Sequence, residues 1–349
     1  MQGATTPRRT VVQWPGAPRA GVDQVPEDFM TFNERLRGIG AALAIILLTG
    51  AAAEASAPLQ KSQVPGYYRM MLGDFEVTAL SDGTLSMHVA DLLTHITPKE
   101  INDGLARSFQ KDPVDTSVNG FLINTGTKLV LIDTGAGMLF GPTLGKLVAN
   151  LKASGYQPEQ VDEIYITHMH GDHVGGLSAD GKMVFPNAVV RASQNEADYW
   201  LSQAHMDAAA KDAKESYQTA MTALNPYIAA KRFKPFRGDV ELVPGIRAMA
   251  APGHTAGHTV YVIESNEQKL VLWGDLMHVA ALQFADPNVT IRFDTDSASA
   301  VAQRKRVFAE AAAHGYWVGG AHLSFPGLGH LRAVGSGYIY APANYNVPH

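Results

Sequence analysis

The stretch Tyr165–Gly176, YITHMHGDHVGG, places three imidazoles and one carboxylate within six positions, His168 to His173. It follows a β-branched, strand-like run and ends on paired glycines. In an extended or tightly turned segment, side chains two apart point the same way and neighbours point oppositely. His168 and His170 can therefore share one cation, while Asp172 and His173 are expected to face different directions. A loop of this spacing can feed two metals. Gly171, Gly175 and Gly176 suit a backbone that turns sharply and approaches other chain closely. The chain contains no cysteine, which excludes thiolate metal sites, iron–sulfur clusters, disulfides and a cysteine nucleophile together. Any metal must be held by nitrogen and oxygen.

Two metals need more ligands than one loop holds, and three further candidates sit at other strand ends. His254 lies in APGHTAGH after the strand Arg247–Ala250. Asp275 closes LVLWGD, where a bridging carboxylate could sit. His322 lies in YWVGGAHLSF. Asp133, in VLIDTG, has the placement of a carboxylate that hydrogen-bonds a ligand histidine, and His258 reads as a supporting residue rather than a ligand. His88, His95, His205, His314, His330 and His349 have no motif around them.

The elements that must position these residues alternate short strands with turns. FEVTALSDG, Phe75–Gly83, reads as a strand ended by an Asp-Gly turn. Asn119–Gly135 reads as two strands joined at Thr125-Gly126, the second buried on both faces. Gly141–Tyr156 has helical apolar spacing and a glycine stop at Gly155. Val189–Ser193 is the next strand after VDEIYITHMH, and Gln194 to Lys231 is expected to be one long helical segment. ELVPGIRAMAAPGH, TVYVIES and KLVLWGD supply further strands, Ser297–His314 a helix with a serine start, and YWVGGAHLSF the last strand. Two strand-rich halves with helices outside imply paired sheets covered on both faces, in a single α/β domain.

The motif set H-x-H-x-D-H, then G-H-T, G-D and G-x-H-type positions in this order, resembles the metallo-β-lactamase fold superfamily over most of the chain after residue 57. PGYYRMMLGDFEVTALSDG, TSVNGFLINTG, LFGPTL, YQPEQVDEIYITHMH and HLSFPGLGH are similar to its methyl parathion hydrolase branch. The resemblance implies an αββα sandwich with a dinuclear zinc-type site. His168, His170 and His254 would hold one ion, Asp172, His173 and His322 the other, and Asp275 would bridge. Cobalt, manganese or iron would also suit an all-nitrogen-and-oxygen donor set. Catalysis would fall to Asp275 and to Asp172, the latter as a proton acceptor.

The same resemblance places Phe140 and Trp200 at aromatic positions of the substrate pocket, with core packing an equal alternative. Where the branch carries an arginine this chain has Leu92, where it carries a leucine this chain has His278, and Ile291 and Phe293 replace smaller residues. A reshaped pocket favours planar carbonyl substrates, lactones and aryl esters, over phosphotriesters. An organophosphate hydrolase is the alternative, and a secreted, non-catalytic metal-binding protein is the alternative from another class. Thioesterase, β-lactamase, nuclease and flavodiiron readings share the histidine loop and lack further support.

Across all 349 residues the composition is 46% hydrophobic and 17% charged, with a formal net charge of -5. That balance gives no footprint for nucleic acid or for an anionic membrane surface. Residues 1–57 read as an N-terminal extension, in which 30–57 has the parts of a signal peptide: Arg35 and Arg37, an apolar run Ile39 to Leu48, and Ala55-Ser56-Ala57. The run is too short for a comfortable membrane span, which takes about 20 residues. Cleavage near Ala57, export to the periplasm or beyond, Met30 as an alternative start, and a homodimer are further expectations. Residues 58–349 form the expected hydrolase domain, with no stable membrane anchor.

Overall fold

The computed structural model describes Ala57 and residues 59–211 and 213–347. The chain divides after Leu59, and the architecture below is that of the second unit, Gln60–His349. The expected signal segment, apart from Ala57, lies outside the described residues.

Two sheets face each other. The first is ordered Tyr67–Leu72, Phe75–Met87, Val114–Asn124, Leu129–Ile132, Glu163–Tyr165, Val189–Arg191. Its first three joints are antiparallel and its last two parallel. The second is ordered Val240–Val243, Ile246–Ala250, Thr259–Ser265, Gln268–Leu272, Trp317–Gly319, Leu328–Val334, Gly337–Pro342, with one parallel joint between Gln268–Leu272 and Trp317–Gly319.

Period-two alternation explains why the sheets stack. Tyr261, Ile263, Leu270 and Leu272 pack with Val77, Phe121, Val130 and Tyr165 in the cluster between the sheets. Their neighbours Val260, Val262 and Val271 point the other way, onto Val307, Phe308 and Ala311 of the helix Ser297–His314. On the first sheet Leu122, Leu131, Ile164 and Val190 likewise face Leu147, Leu151, Leu224 and Tyr227 of the outer helices. Strands buried on both faces must be apolar throughout, as Leu129–Ile132 is. The result is the αββα sandwich.

Four local expectations change. The strand from Phe75 does not stop at the Asp-Gly pair but runs to Met87, with a register shift between Ser81 and Gly83. Gly83 has φ +128°, and a Cβ there would lie 1.9 Å from the Thr143 carbonyl oxygen, so the glycine serves a bulge rather than a turn. The carboxylate of the neighbouring Asp82 accepts from the N–H groups of Ala136, Gly145 and Leu147. That clamp, with Gly145 at φ +77°, keeps residues 141–146 out of the helix, which covers only Leu147–Ala153. The segment from Gln194 is three helices, Gln194–Trp200, Gln203–Ala208 and Lys214–Ala229. Ser193 and Ser202 cap the first two by accepting from Asn195 N–H and His205 N–H. Finally, Trp317–Gly319 is followed by two more strands. The last helix spans Ser297–His314 as expected, with Asp296 as its cap.

Candidate metal centre

Both sheets present loops from the same edge. The strand Glu163–Tyr165 runs out into the histidine loop, where Asp133, at the end of its parallel neighbour Leu129–Ile132, anchors it. Thr167 donates to both Asp133 carboxylate oxygens, through its N–H to Oδ1 (2.9 Å) and its hydroxyl to Oδ2 (2.8 Å). His173 Nδ1 lies 2.8 Å from the same Oδ2. Asp133 holds a left-handed backbone, φ 58°. Behind the loop, Thr134 donates twice to the His173 carbonyl. A Cβ at Gly176 would lie 2.0 Å from the Thr134 oxygen and one at Gly175 2.2 Å from that of Ala136, so only glycine fits.

The structure brings the seven candidate donors into two groups that share Asp275, one of His168, His170 and His254, the other of Asp172, His173 and His322. In the first, His170 Nδ1 lies 3.1 Å from both His168 Nε2 and His254 Nε2, and Asp275 Oδ2 lies 3.6 and 3.4 Å from those two Nε2 atoms. In the second, His173 Nε2 is 3.6 Å from Asp172 Oδ2 and 3.2 Å from Asp275 Oδ1. His322 Nε2 is 3.4 Å from Asp172 Oδ2 and 3.1 Å from Asp275 Oδ2. Tetrahedral zinc bonded at about 2.0–2.1 Å sets its donors roughly 3.3 Å apart, so these separations suit one ion per group. His173 Nε2 and Asp275 Oδ1 are buried without a hydrogen-bond partner, as converging ligand atoms should be.

Asp172 and His173 do not diverge as strand geometry predicts. The chain there is a single helical turn, Gly171–Val174, in which successive side chains rotate by about 100° rather than 180°. Both therefore reach one group.

Outer partners fix which ring nitrogen faces the centre. His322 Nδ1–H donates to the Ser117 carbonyl at 2.9 Å, His254 Nδ1 meets Asp294 Oδ1 at 2.9 Å, and His173 Nδ1 meets Asp133. Each turns its Nε2 toward the centre. His258 belongs to neither group; its Nε2 accepts the Asp275 N–H at 3.1 Å and sets the backbone of the shared carboxylate.

Charge differs between the groups. Burial pushes the His168 and His254 imidazoles well below the usual 6.5 and His170 down to about 4. Burial also opposes the charged form of His173 and His322, but Asp275 and Asp172 outweigh it. His173 is raised well above the usual value and His322 to about 9. Asp275 is fully buried, yet His173, His322 and His278 hold its carboxyl well below the carboxylate range.

The expected pocket residues separate. His278 lies against the shared carboxylate itself, Nε2 3.1 Å from Asp275 Oδ2, with its ring stacked 5.2 Å from that of His322. Both its ring nitrogens are buried without a hydrogen-bond partner. Phe293, 42% exposed, stands 6.1 Å from His278, and Phe140, 57% exposed, lies over Gly171, so both rim the centre. Trp200 is core, yet its ring meets His170 edge-on at 5.4 Å. Ile291 does not line the mouth. It is 1% exposed, paired with Leu93 inside the cluster of Met87, Val89, Leu105 and Val289, and Leu92 packs against that cluster.

Three supports carried no sequence signal: Glu196, Asp294 and Arg304. Arg304, fully buried on the helix Ser297–His314, donates to the carbonyls of Leu276, Pro287 and Val289 and ties the Asp275 loop to the segment that bears Asp294. A buried arginine in a helix reads as a surface residue until its partners are known.

This arrangement of sheets and donors defines a class. The family model of the metallo-beta-lactamase superfamily matches residues 113–313. The chain belongs to that superfamily. It is similar to a solved structure of AbOPH, a hydrolase in the beta lactamase superfamily, at 38% identity and TM-score 0.78, over 82% of this chain and 100% of that one. It is also similar to AidC, a dizinc quorum-quenching lactonase solved with the product N-hexnoyl-L-homoserine, at 28% identity and TM-score 0.76, over 81% and 99%. An N-acyl homoserine lactonase of Bacillus cereus is 32% identical over 129 residues, 36% of this chain. The match spans 42% of that lactonase's length.

Proposed function

We propose that the protein is a dinuclear-metal hydrolase that opens lactones and cleaves aryl esters, with zinc as the resident metal. The observation that carries this reading is the pair of donor groups sharing the buried Asp275. The likeness to a dizinc lactonase across four fifths of the chain supports it. Two ions held there supply a water of lowered pKa and polarise the carbonyl oxygen under attack. The chain's own residues do the rest. His168, His170 and His254 hold one ion, Asp172, His173 and His322 the other, with Asp275 common to both. Asp172, the most exposed donor of the second group, takes up the proton released as the tetrahedral centre forms. His278, whose ring lies against Asp275 and whose buried nitrogens make no hydrogen bond within the protein, donates a proton to the departing alkoxide oxygen. Phe140 and Phe293 cover the mouth with apolar surface.

Phosphotriester hydrolysis is the second reading, favoured by the sequence resemblance to the methyl parathion hydrolase branch. The test is to purify residues 58–349, count metals per chain, and compare kcat/KM on an aromatic lactone, an aryl ester and methyl parathion. About two metals with the lactone preferred by orders of magnitude supports the proposal; a preference for the phosphotriester replaces it with the second reading. No metal, and no activity with zinc or cobalt added, rejects a metal-dependent hydrolase. We also propose export after cleavage near Ala57, checked by the N-terminal sequence of the protein from a periplasmic fraction. Among the described residues no helix is long and apolar enough to cross a membrane.

A further inference from the structure

Glu196 is a buried carboxylate far from any motif, 0% exposed, in the first turn of the helix Gln194–Trp200. Its Oε1 accepts the N–H of Met169 at 2.9 Å. Its Oε2 accepts the hydroxyl of Thr255 and the N–H of Gly257, both at 2.8 Å. Met169 is the residue between His168 and His170. Thr255 follows His254, and Gly257 precedes His258. One side chain thus fastens a loop of the first sheet to a loop of the second, and those two loops carry the three histidines of the first donor group. The approach is close: a Cβ on Gly257 would lie 2.2 Å from the Glu196 nitrogen, so no other residue lets the loop reach the helix.

We infer that Glu196 is a positioning residue for the first metal alone, the brace that brings His254 across the sandwich to His168 and His170. The inference rests on the dinuclear reading proposed above. On the histidine loop the bonds of Glu196 stop at Met169; none reaches the turn Gly171–Val174 that carries Asp172 and His173, or the loop of His322, whose supports are Asp133, Thr134 and the Ser117 carbonyl. A carboxylate suits this place because it accepts on both oxygens, and all three partners are donors. Glutamine offers one oxygen and one amide group, so it must turn an N–H toward a donor on one side. Aspartate is shorter by a methylene and cannot span both loops.

The experiment is site-resolved metal binding. Metal-free wild type, Glu196→Gln, Glu196→Asp and Thr255→Ala are titrated with cobalt, followed by visible absorption and by metals per chain after dialysis. Their metal-free melting temperatures are recorded alongside. Leu224→Ala, a core truncation remote from both groups, serves as the destabilised control. We expect Glu196→Gln to lose about 10–100-fold in affinity at one site and to keep the other. Thr255→Ala, missing one of three bonds, should fall between it and wild type. The control should melt lower and still bind two ions with unchanged affinity. A folded Glu196→Gln that binds both ions as wild type does overturns the inference, as does equal weakening of both sites. If Glu196→Gln fails to fold, Thr255→Ala decides by the same criterion. Wild type that binds no metal, by contrast, overturns the dinuclear reading itself.

Discussion

The two donor groups on either side of Asp275 are built on opposite principles. The first is three imidazoles in a dry environment, uncharged at neutral pH because burial disfavours the cation. The second pairs its two imidazoles with Asp172 as well as Asp275, and those carboxylates hold protons on His173 and His322. An ion entering the first group meets ready lone pairs, whereas an ion entering the second must displace protons. Neutral and ionic coordination can therefore stand side by side, because Asp172, with Asp133 behind His173, reverses the electrostatic balance in an equally buried place.

The largest effect should come from the residue the groups share. Asp275→Asn should release both ions, and activity should fall by more than the roughly 100-fold typical of losing a ligand's outer partner. Metal analysis after dialysis checks it, and retention of one ion would show that the groups are independent. Next come the outer partners, one for each side. Asp294→Asn should weaken the first site by about 10–100-fold, and Asp133→Asn should weaken the second by as much and the first by less, since Asp133 also holds Thr167 beside His168. Equal effects on both sites in cobalt titrations would dissolve the comparison.

Acidity sharpens the same contrast in the metal-free protein. His170 and His258 have folded values of about 4 against the usual 6.5, so their contribution to stability is present above 6.5 and is lost as pH falls toward 4. His322, raised to about 9, contributes stability fully present below 6.5 and lost as pH rises through 9. Thermal melts of chelator-treated protein should thus peak near pH 6.5, and binding of the second ion should tighten steeply up to pH 9. A flat profile would mean that the two groups do not differ in charge.

The smallest effect lies outside the centre. Ile291→Val should cost about 0.5–1.5 kcal/mol of stability, as for a core methylene, with KM unchanged. A shift in KM instead would return Ile291 to the substrate mouth. Thermal melting and steady-state kinetics on one preparation separate the two.

Much of the candidate centre was legible because its chemistry is concentrated. The H-x-H-x-D-H loop, the strand-end residues His254, Asp275 and His322, and the supporting positions of Asp133 and His258 all stand in short, unusual contexts. The sheets were legible from alternation, since Tyr261 and Val262 must face different layers. Helix limits were not. Gly141–Tyr156 has helical spacing, but Asp82, about sixty residues earlier in the chain, captures the N–H groups that would have begun the helix. No local pattern reports a competitor that distant.

The sequence by itself therefore determined the donor types, the absence of sulfur ligands and the two-layer alternation, because these depend on side-chain chemistry and on a period of two. Only the tertiary structure decided how the adjacent Asp172 and His173 turn toward one group, that the His278 ring meets the Asp275 carboxylate, and that Glu196 joins the His168–His170 loop to that of His254. Those facts depend on how two sheets stack and which loops then meet at their shared edge. Packing of the whole chain sets that distance, and no stretch of neighbours in the sequence encodes it.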